Sequence, residues 1–593
     1  MERKISQLVM ALLATSLFIS PVISKESHQE ARKQTADDIA PEAATGIGSQ
    51  TLVRGKEWMV AAANPYASEA GATILRQGGN AIDAMVAIQL VLGLTEPQSS
   101  GIGGGAFLVY WDAENDKLTT FDGRETAPFA ATPRLFQDKK GQPLAFFDAV
   151  VGGRSVGTPG TVKLMWRTHQ RYGKLPWRDL FTPAIRLAKQ GFIVSPRLAA
   201  LIAEDQENLQ RWKATAAYFF NDDGSPLRAG QSLTNPTYAD TLTQIAEHGA
   251  SAFYHGDIAK DIVNTVRNAE GNPGVLSAMD LATYQIKERE PVCAPYRQFE
   301  ICGMGPPSSG ALTLGQIMGI LSHFPIGKMG HDNINSWRLL GDASRLAFAD
   351  RSHYMADSDY VPMPTAGLLA ASYLEHRAAL LKKDKALTSV EPGQPIWSHA
   401  MNYAADESLE LPSTSHFSIV DRDRNVVSLT TTIENGFGSR LMVRGFLLNN
   451  ELTDFSFRTH IDGRPIANRL EPGKRPRSSM APTIVMRDNS PYLAIGSPGG
   501  SHIIGYVAKT LIGHLDWNLD LQQAINLPNM NNRFGAFELE KGTAAEQWAL
   551  KLEQIGFEVK VKDLNSGIQA IKIDGRQLTG AADQRREGKV IAQ

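Results

Sequence analysis

The chain has two cysteines in 593 residues, no block of like charge and, beyond its first two dozen residues, no apolar run long enough to cross a bilayer. Each absence excludes something. Two cysteines with no histidines clustered beside them leave no thiolate metal site. Lys and Arg total 60 against 62 Asp and Glu, for a net charge of −2, so no electrostatic footprint for a nucleic-acid partner exists. A membrane span needs about 20 consecutive apolar residues, so no stable anchor is expected in the body of the chain. Internal repeats and low-complexity segments are missing too. What remains, 42% hydrophobic and 21% charged, is an ordinary globular balance. Function must therefore be sought in short local patterns.

The N-terminus differs from the rest. Arg3 and Lys4 precede a mostly apolar stretch from Leu8 to Ile19, then Pro21, Val22 and Ser24. That order of charged, apolar and small residues is typical of an export signal cut before Lys25. An uncleaved anchor helix would read similarly, but this run is short for a span. Residues 1–24 are thus expected to be a removed leader, and the mature protein periplasmic. Residues 25 to about 55 are polar and read as a loose start. In "VCAPYRQFEIC" two short strands flank a turn at Arg297–Gln298, which sets Cys293 opposite Cys302. Opposed residues of an antiparallel pair lie near disulfide reach, and an oxidising compartment permits the bond; two small buried thiols are the alternative.

From Ala67 the pattern turns helical: "ASEAGATILRQGG" and "NAIDAMVAIQLVLG" repeat apolar residues at three- and four-residue spacing and end in glycine. "GIGGGAFLVYWD" reads as a glycine turn entering a buried strand. Its glycines lack the Lys-Ser/Thr of a P-loop and the full G-x-G-x-x-G, so phosphate binding is rejected. Helical and strand-like segments are expected to alternate to about residue 380, and the polar stretch from Lys382 to Leu411 to be an exposed connection. After Ser413 come short β-branched runs, a strand pair around Asp488–Asn489, a helix in "SHIIGYVAKTLIGHL", another in "WALKLEQIGF" and a terminal hairpin turning at Asp574–Gly575. Helices with mixed strands indicate a layered α/β protein.

"LPSTSHFSIVD" places Thr414 where a polar loop meets a strand, with Ser415 and His416 directly after. A hydroxyl is a weak nucleophile that needs an adjacent base. A threonine's own free α-amine, with an unperturbed pKa of about 7.7–8.0, serves near neutral pH. It exists only if the bond from Ser413 is broken. Taken alone, a threonine at a loop-to-strand junction is usually structural.

The segment resembles the processing site of gamma-glutamyltranspeptidases, and matching stretches run in order from about residue 60 to the end. The resemblance implies a nucleophile at Thr414, a cleavage between Ser413 and Thr414, and a helper threonine at Thr432 in "TTTIENGFG". In "RPRSSMAPT" the serine pair Ser478 and Ser479 is implied to bind the donor's α-carboxylate, together with Arg124 of "FDGRETAP". A planar guanidinium holds a carboxylate by two hydrogen bonds. Glu451 and Asp454 in "FLLNNELTDFS" are implied to hold the α-ammonium, so that arginine and serines read one end of a zwitterion and the acids the other. Gly499 and Gly500 of "GSPGGS" are implied to be the oxyanion hole, where glycine lets backbone N–H groups approach closely.

Two features depart from that family's pattern. Glu434, with Asn435 next, stands where the family usually has an asparagine that contacts the donor's amino group. The stretch Ser456–Lys474 is short and has no tyrosine, whereas some relatives carry a tyrosine-bearing lid there. The resemblance further implies an α/β (α+β) fold of four layers, α/β/β/α, built from two interwoven pieces: a large subunit 25–413 and a small catalytic subunit 414–593 that pair as a heterodimer. No metal or organic cofactor is required, because nucleophile, base and oxyanion donors are all protein groups. Expected partners are γ-glutamyl small molecules, with water, amino acids or peptides as acceptors. A glutaryl acylase of the cephalosporin-acylase kind, and an uncleaved non-catalytic binding protein, are the alternatives.

Overall fold

The computed structural model describes residues 50–399, 402–406, 408 and 413–593; the expected leader and most of the polar segment after it lie outside them. Thr414–Val420 and Val426–Thr432 are seven-residue runs rich in β-branched side chains, which favour the pleated conformation. Asp421 joins them by accepting from the Asn425 backbone N–H at 2.9 Å, with Arg424 at φ +71°. The two strands pair antiparallel along their full length. They form the middle of a seven-stranded antiparallel sheet ordered Lys589–Ala592, Met59–Ala62, Thr414–Val420, Val426–Thr432, Gly105–Asp112, Lys117–Gly123 and Lys287–Arg289. An early strand, Met59–Ala62, pairs with Thr414's strand on one side and with the last strand of the chain on the other, so neither expected piece forms this sheet alone.

A second seven-stranded antiparallel sheet runs Val53–Gly55, Gln577–Ala582, Gln569–Asp574, Ser490–Gly496, Thr483–Arg487, Phe299–Gly303 and Val292–Tyr296. Between the sheets lies an apolar cluster drawn from both, with Met59, Val109, Trp111, Val420 and Val426 against Ile484, Ala494, Ile571 and Leu578. On the outer face of the first sheet, Phe417, Ile419, Val427 and Leu429 pack against the helices Pro65–Arg76 and Ala81–Thr95. The second helix starts with a capping box between Asn80 and Asp83 and is buried on nearly every side; its sequence is accordingly apolar all round. The outer face of the other sheet is covered by Gly310–Leu321, Ile334–Tyr354 and Ile503–Leu515. The architecture is thus the four-layer α/β/β/α sandwich.

Several local readings match. Cys293 and Cys302 are cross-strand partners joined by a disulfide, with Cα atoms 4.0 Å apart. Asp488 and Asn489, both at positive φ, form the two-residue turn between Arg487 and Ser490, as such hairpins require. Others need correction. The terminal hairpin turns at Gly575–Arg576, since Asp574 pairs with Gln577; the glycine takes the left-handed position at φ +57°. Residues 146–283 are mostly helical, with only two-residue strands between, because antiparallel sheets need no alternating crossovers. The 382–411 connection is not wholly exposed: Tyr403, Ala404 and Asp406 are buried, and Asp406 pairs with Arg477 at 3.0 Å. Among the described residues no helix is long and apolar enough to span a membrane, and no cluster of His, Cys, Asp and Glu is arranged to hold a metal ion.

Candidate active site

Strand periodicity decides what Thr414 faces. Ser415, Phe417 and Ile419 point to the helical layer, while Thr414, His416 and Ser418 point to the other sheet. Register then sets Thr414 beside Thr432 and His416 beside Thr430. The Thr414 hydroxyl donates to Thr432 Oγ1 at 3.4 Å, long for a hydrogen bond. The Thr432 hydroxyl donates to the Ser413 carbonyl at 2.8 Å and accepts from the Glu434 N–H at 2.8 Å. The bond expected to break therefore carries a hydrogen-bond donor on its carbonyl and a hydroxyl on the next residue. Its surroundings are fixed from both sides. Ser413 donates to the Gln98 carbonyl at 2.6 Å, Ser415 donates to Glu96 Oε2 at 2.6 Å, and Arg586 Nη1 reaches the Thr414 carbonyl at 3.2 Å.

His416 does not join this chemistry. Its ring bonds to Thr430 and Ser418 at 2.9 and 3.2 Å. Burial pushes the imidazole down to about 3, so it is a neutral core histidine.

Every residue expected to touch substrate lines one small cavity, except Gly499; Met480 and Ile503 complete the wall. Gly500 belongs to the lining, and Gly499 precedes it at φ +133°, where an added Cβ would lie 2.7 Å from the Tyr506 ring. The 3₁₀ turn that follows leads into Ile503–Leu515, so the glycine pair stands before a helix start.

The cavity is not divided into an arginine end and an acid end. Arg124 is 1% exposed, and its Nη1 pairs with Glu451 and its Nη2 with Asp454 at 2.5 Å. Nε and Nη2 also donate to the Pro476 and Arg477 carbonyls at 3.2 and 2.9 Å. Burial opposes the charge on Arg124, but Glu451 and Asp454 outweigh it and its pKa rises. Burial raises the Glu451 pKa against the pull of Arg124. Glu125 is buried behind them, and burial together with Glu451 pushes its carboxyl far up, toward the protonated form. Glu434 contacts Asn450 Nδ2 from a left-handed backbone at φ +78°. Three acidic side chains thus line the cavity with one guanidinium, which favours a ligand carrying a positive group.

Ser478 and Ser479 sit on the wall through a backbone bond from the Ser309 N–H to the Ser478 carbonyl at 2.8 Å. Ser479 Oγ accepts from Arg351 Nη2 at 2.7 Å, and Arg351 Nε donates to Ser309. Sequence reading missed Arg351, Arg586 and Glu125. Arg351 lies within the long helix Ile334–Tyr354 and carries no local motif; Glu125 is adjacent to Arg124 in the quoted segment and was the one within reach.

The family model described as Gamma-glutamyltranspeptidase matches residues 67–593. The chain belongs to the gamma-glutamyltranspeptidase family. Among its relatives, the glutathione hydrolase proenzyme of Bacillus subtilis (strain 168) is 38% identical over 549 residues, covering 91% of this chain and 92% of that one. The glutathione hydrolase proenzyme of Escherichia coli (strain K12) is 35% identical, covering 92% and 94%. Among solved structures, the cephalosporin acylase from Bacillus halodurans superposes with a TM-score of 0.80 at 26% identity, over 92% of this chain and 97% of that one.

Proposed function

We propose that this protein is an exported proenzyme that cuts its own 413–414 bond and then transfers the γ-glutamyl group of glutathione or a similar γ-glutamyl amide to water or to an amino-acid or peptide acceptor. The observation that carries the reading is the Thr432 hydroxyl held on the Ser413 carbonyl, beside Thr414, at the wall of an acid-rich cavity. In maturation Thr414 Oγ attacks the Ser413 carbonyl carbon, the C–N bond breaks, and the nitrogen takes the hydroxyl proton. That shift frees the Thr414 α-amine; water then hydrolyses the resulting ester, which restores the Thr414 hydroxyl and leaves residues 25–413 and 414–593 as partners in one heterodimer.

In turnover that amine accepts the proton of Thr414 Oγ as the oxygen attacks the donor's γ-carbonyl. The leaving amine takes the proton, a γ-glutamyl ester remains on Thr414, and water or an acceptor amine releases it. The N–H groups at Gly499 and Gly500 are the oxyanion donors in this scheme; such a donor is typically worth about 10²–10³ in rate. Glu434, Glu451 and Asp454 supply negative charge for the donor's ammonium. Ser478, Ser479 and Arg124 supply hydrogen-bond donors for its carboxylate, the arginine by yielding one acidic partner to the ligand's ammonium. The short Ser456–Lys474 stretch, a small hairpin at His460–Pro465, leaves the mouth open to water and bulky acyl groups.

The likeness to a cephalosporin acylase favours one second reading, in which the same Thr414 chemistry acts on a glutaryl amide. Release of p-nitroaniline separates the two: γ-glutamyl-p-nitroanilide is cleaved under the first reading, and glutaryl-p-nitroanilide alone under the second. A denaturing gel tests the maturation. Two fragments are expected from the wild type, the smaller beginning at Thr414 by N-terminal sequencing. One chain is expected from Thr414→Ala. A wild-type protein that is active while unbroken at 413–414 would refute the scheme.

A further inference from the structure

Gly499 and Gly500 both adopt left-handed backbone, at φ +133° and +56°. Two consecutive glycines at such angles have no side chains with which to hold their own N–H groups in place, so their direction must be imposed from outside. On the upstream side the Ser497 hydroxyl donates to the Pro498 carbonyl at 2.8 Å and accepts from the Gly567 N–H at 3.2 Å. On the downstream side the next two residues are both gripped by one buried ionic cluster. Arg533 Nη1 bonds to Ser501 Oγ. His502 Nε2 meets Glu538 Oε2 at 2.8 Å. Arg533 Nη2 reaches both Glu538 oxygens at 3.1 and 3.0 Å, and Lys562 Nζ holds Oε1 at 3.0 Å. Ser501, His502, Arg533 and Glu538 are each at most 4% exposed.

A carboxylate only accepts, and its three neighbours all donate, so the shared proton of the His502–Glu538 contact lies on Nε2. Burial and then the Arg533 charge lower the His502 pKa. Burial works against ionised Glu538, but Arg533 and His502 outweigh it and hold the carboxyl far below its usual range. A buried carboxylate with three donors is costly to assemble unless every lone pair is met, and here the return is geometric. It locks two side chains in succession immediately after the glycine pair. A lone clamp on helix Ile503–Leu515 would need neither Ser501 nor His502.

We infer that Glu538, acting through His502 and through Arg533 on Ser501, is a positioning residue that aims the Gly499–Gly500 backbone at the developing oxyanion. This rests on the oxyanion role given to the glycines above. No residue of the cluster lines the cavity, so its loss should leave ground-state binding alone and weaken only the transition state.

The test uses His502→Ala, His502→Gln and Glu538→Gln in the full-length, self-processed protein with γ-glutamyl-p-nitroanilide. Glutamine at 502 keeps an N–H donor for Glu538; alanine does not. His502→Ala should lower kcat by about 10–100-fold, the scale of a sub-ångström to 1 Å misplacement, with KM within about twofold. His502→Gln should recover most of the loss. A boronate analogue that forms a tetrahedral adduct on a hydroxyl nucleophile should lose affinity in step with kcat in both His502→Ala and Glu538→Gln. An unchanged kcat in correctly processed His502→Ala would overturn the inference, as would a fall that merely tracks the loss of processed protein or of thermal stability. If the wild type itself releases no p-nitroaniline, the parent reading fails; if it does and His502→Ala equals it, this inference fails alone. Should Glu538→Gln not fold, the alanine and glutamine pair at 502 still decides.

Discussion

Thr432→Val is the sharpest probe of the proposed maturation. Valine has nearly the shape of threonine and the same β-branching, so the strand Val426–Thr432 keeps its fit. What disappears is one hydroxyl with three contacts: the 2.8 Å donation to the Ser413 carbonyl, the 2.8 Å acceptance from the Glu434 N–H, and the longer contact with Thr414 Oγ1. The first contact polarises the carbonyl that Thr414 must attack. Loss of one positioned donor of that kind costs about 10²–10³ in rate, or about 2.7–4 kcal/mol of barrier. The second leaves a buried N–H unmet, at about 1–3 kcal/mol of stability. The two losses fall on different observables, one on the rate of scission and the other on Tm. Precursor purified early and incubated at constant pH is followed by denaturing gel, with cleaved fraction plotted against time. Thr432→Val should mature at least 100-fold more slowly, and Thr432→Ser, which keeps the hydroxyl, within about tenfold of wild type. Maturation of Thr432→Val at the wild-type rate would refute the argument, because the hydroxyl would then have no part in breaking the bond.

Glu434→Gln keeps the contact with Asn450 but removes a charge from the cavity. At about 1.5–3 kcal/mol for a hydrogen bond to a charged group, KM for a γ-glutamyl donor should rise about 10–100-fold, and the preference over glutaryl amides should shrink. Steady-state kinetics on the two p-nitroanilides check this. Gly499→Ala must take φ +133° and place its Cβ 2.7 Å from the Tyr506 ring. Strain of about 1–3 kcal/mol should appear as a lower Tm, with a fall in kcat of tenfold or more measured on matured protein. His416 is held near 3 when folded against an ordinary value of about 6.5. The unfolded chain therefore binds more protons between those values, and stability falls as pH drops through that window, by up to about 1.4 kcal/mol per pH unit. Denaturant unfolding of His416→Gln from pH 6.5 to 4 should show a shallower acid slope than wild type; equal slopes would contradict the neutral-core assignment.

Local patterns carried far in this chain. Spacing alone placed the helices Pro65–Arg76 and Ala81–Thr95 to within a few residues, the turn at Asp488–Asn489, and Cys293 opposite Cys302, because each depends on residues within one or two turns or a hairpin of one another. The Thr414 junction was visible for the same reason: a loop residue meeting a β-branched run. The terminal turn, read at Asp574–Gly575, lies one position on at Gly575–Arg576, because strand register pairs Asp574 with Gln577 and Gly575 takes the left-handed position.

The cavity was another matter. Arg124 meets Glu451 across 327 residues of sequence, and no spacing rule reaches that far. Motif likeness named both residues but assigned them to opposite ends of a ligand, whereas burial joined them, since a guanidinium taken out of water needs its counter-charges at hand. Arg351 and Arg586 came to light only in three dimensions, because a lone arginine in a helix or a C-terminal loop has no local signature. The sequence by itself determined which strand presents Thr414 and which face of it looks inward, through the period-two alternation of its side chains. Only the tertiary structure decided what that face looks at, because the opposing walls arrive from distant segments whose approach is governed by burial and charge pairing rather than by neighbours in the chain.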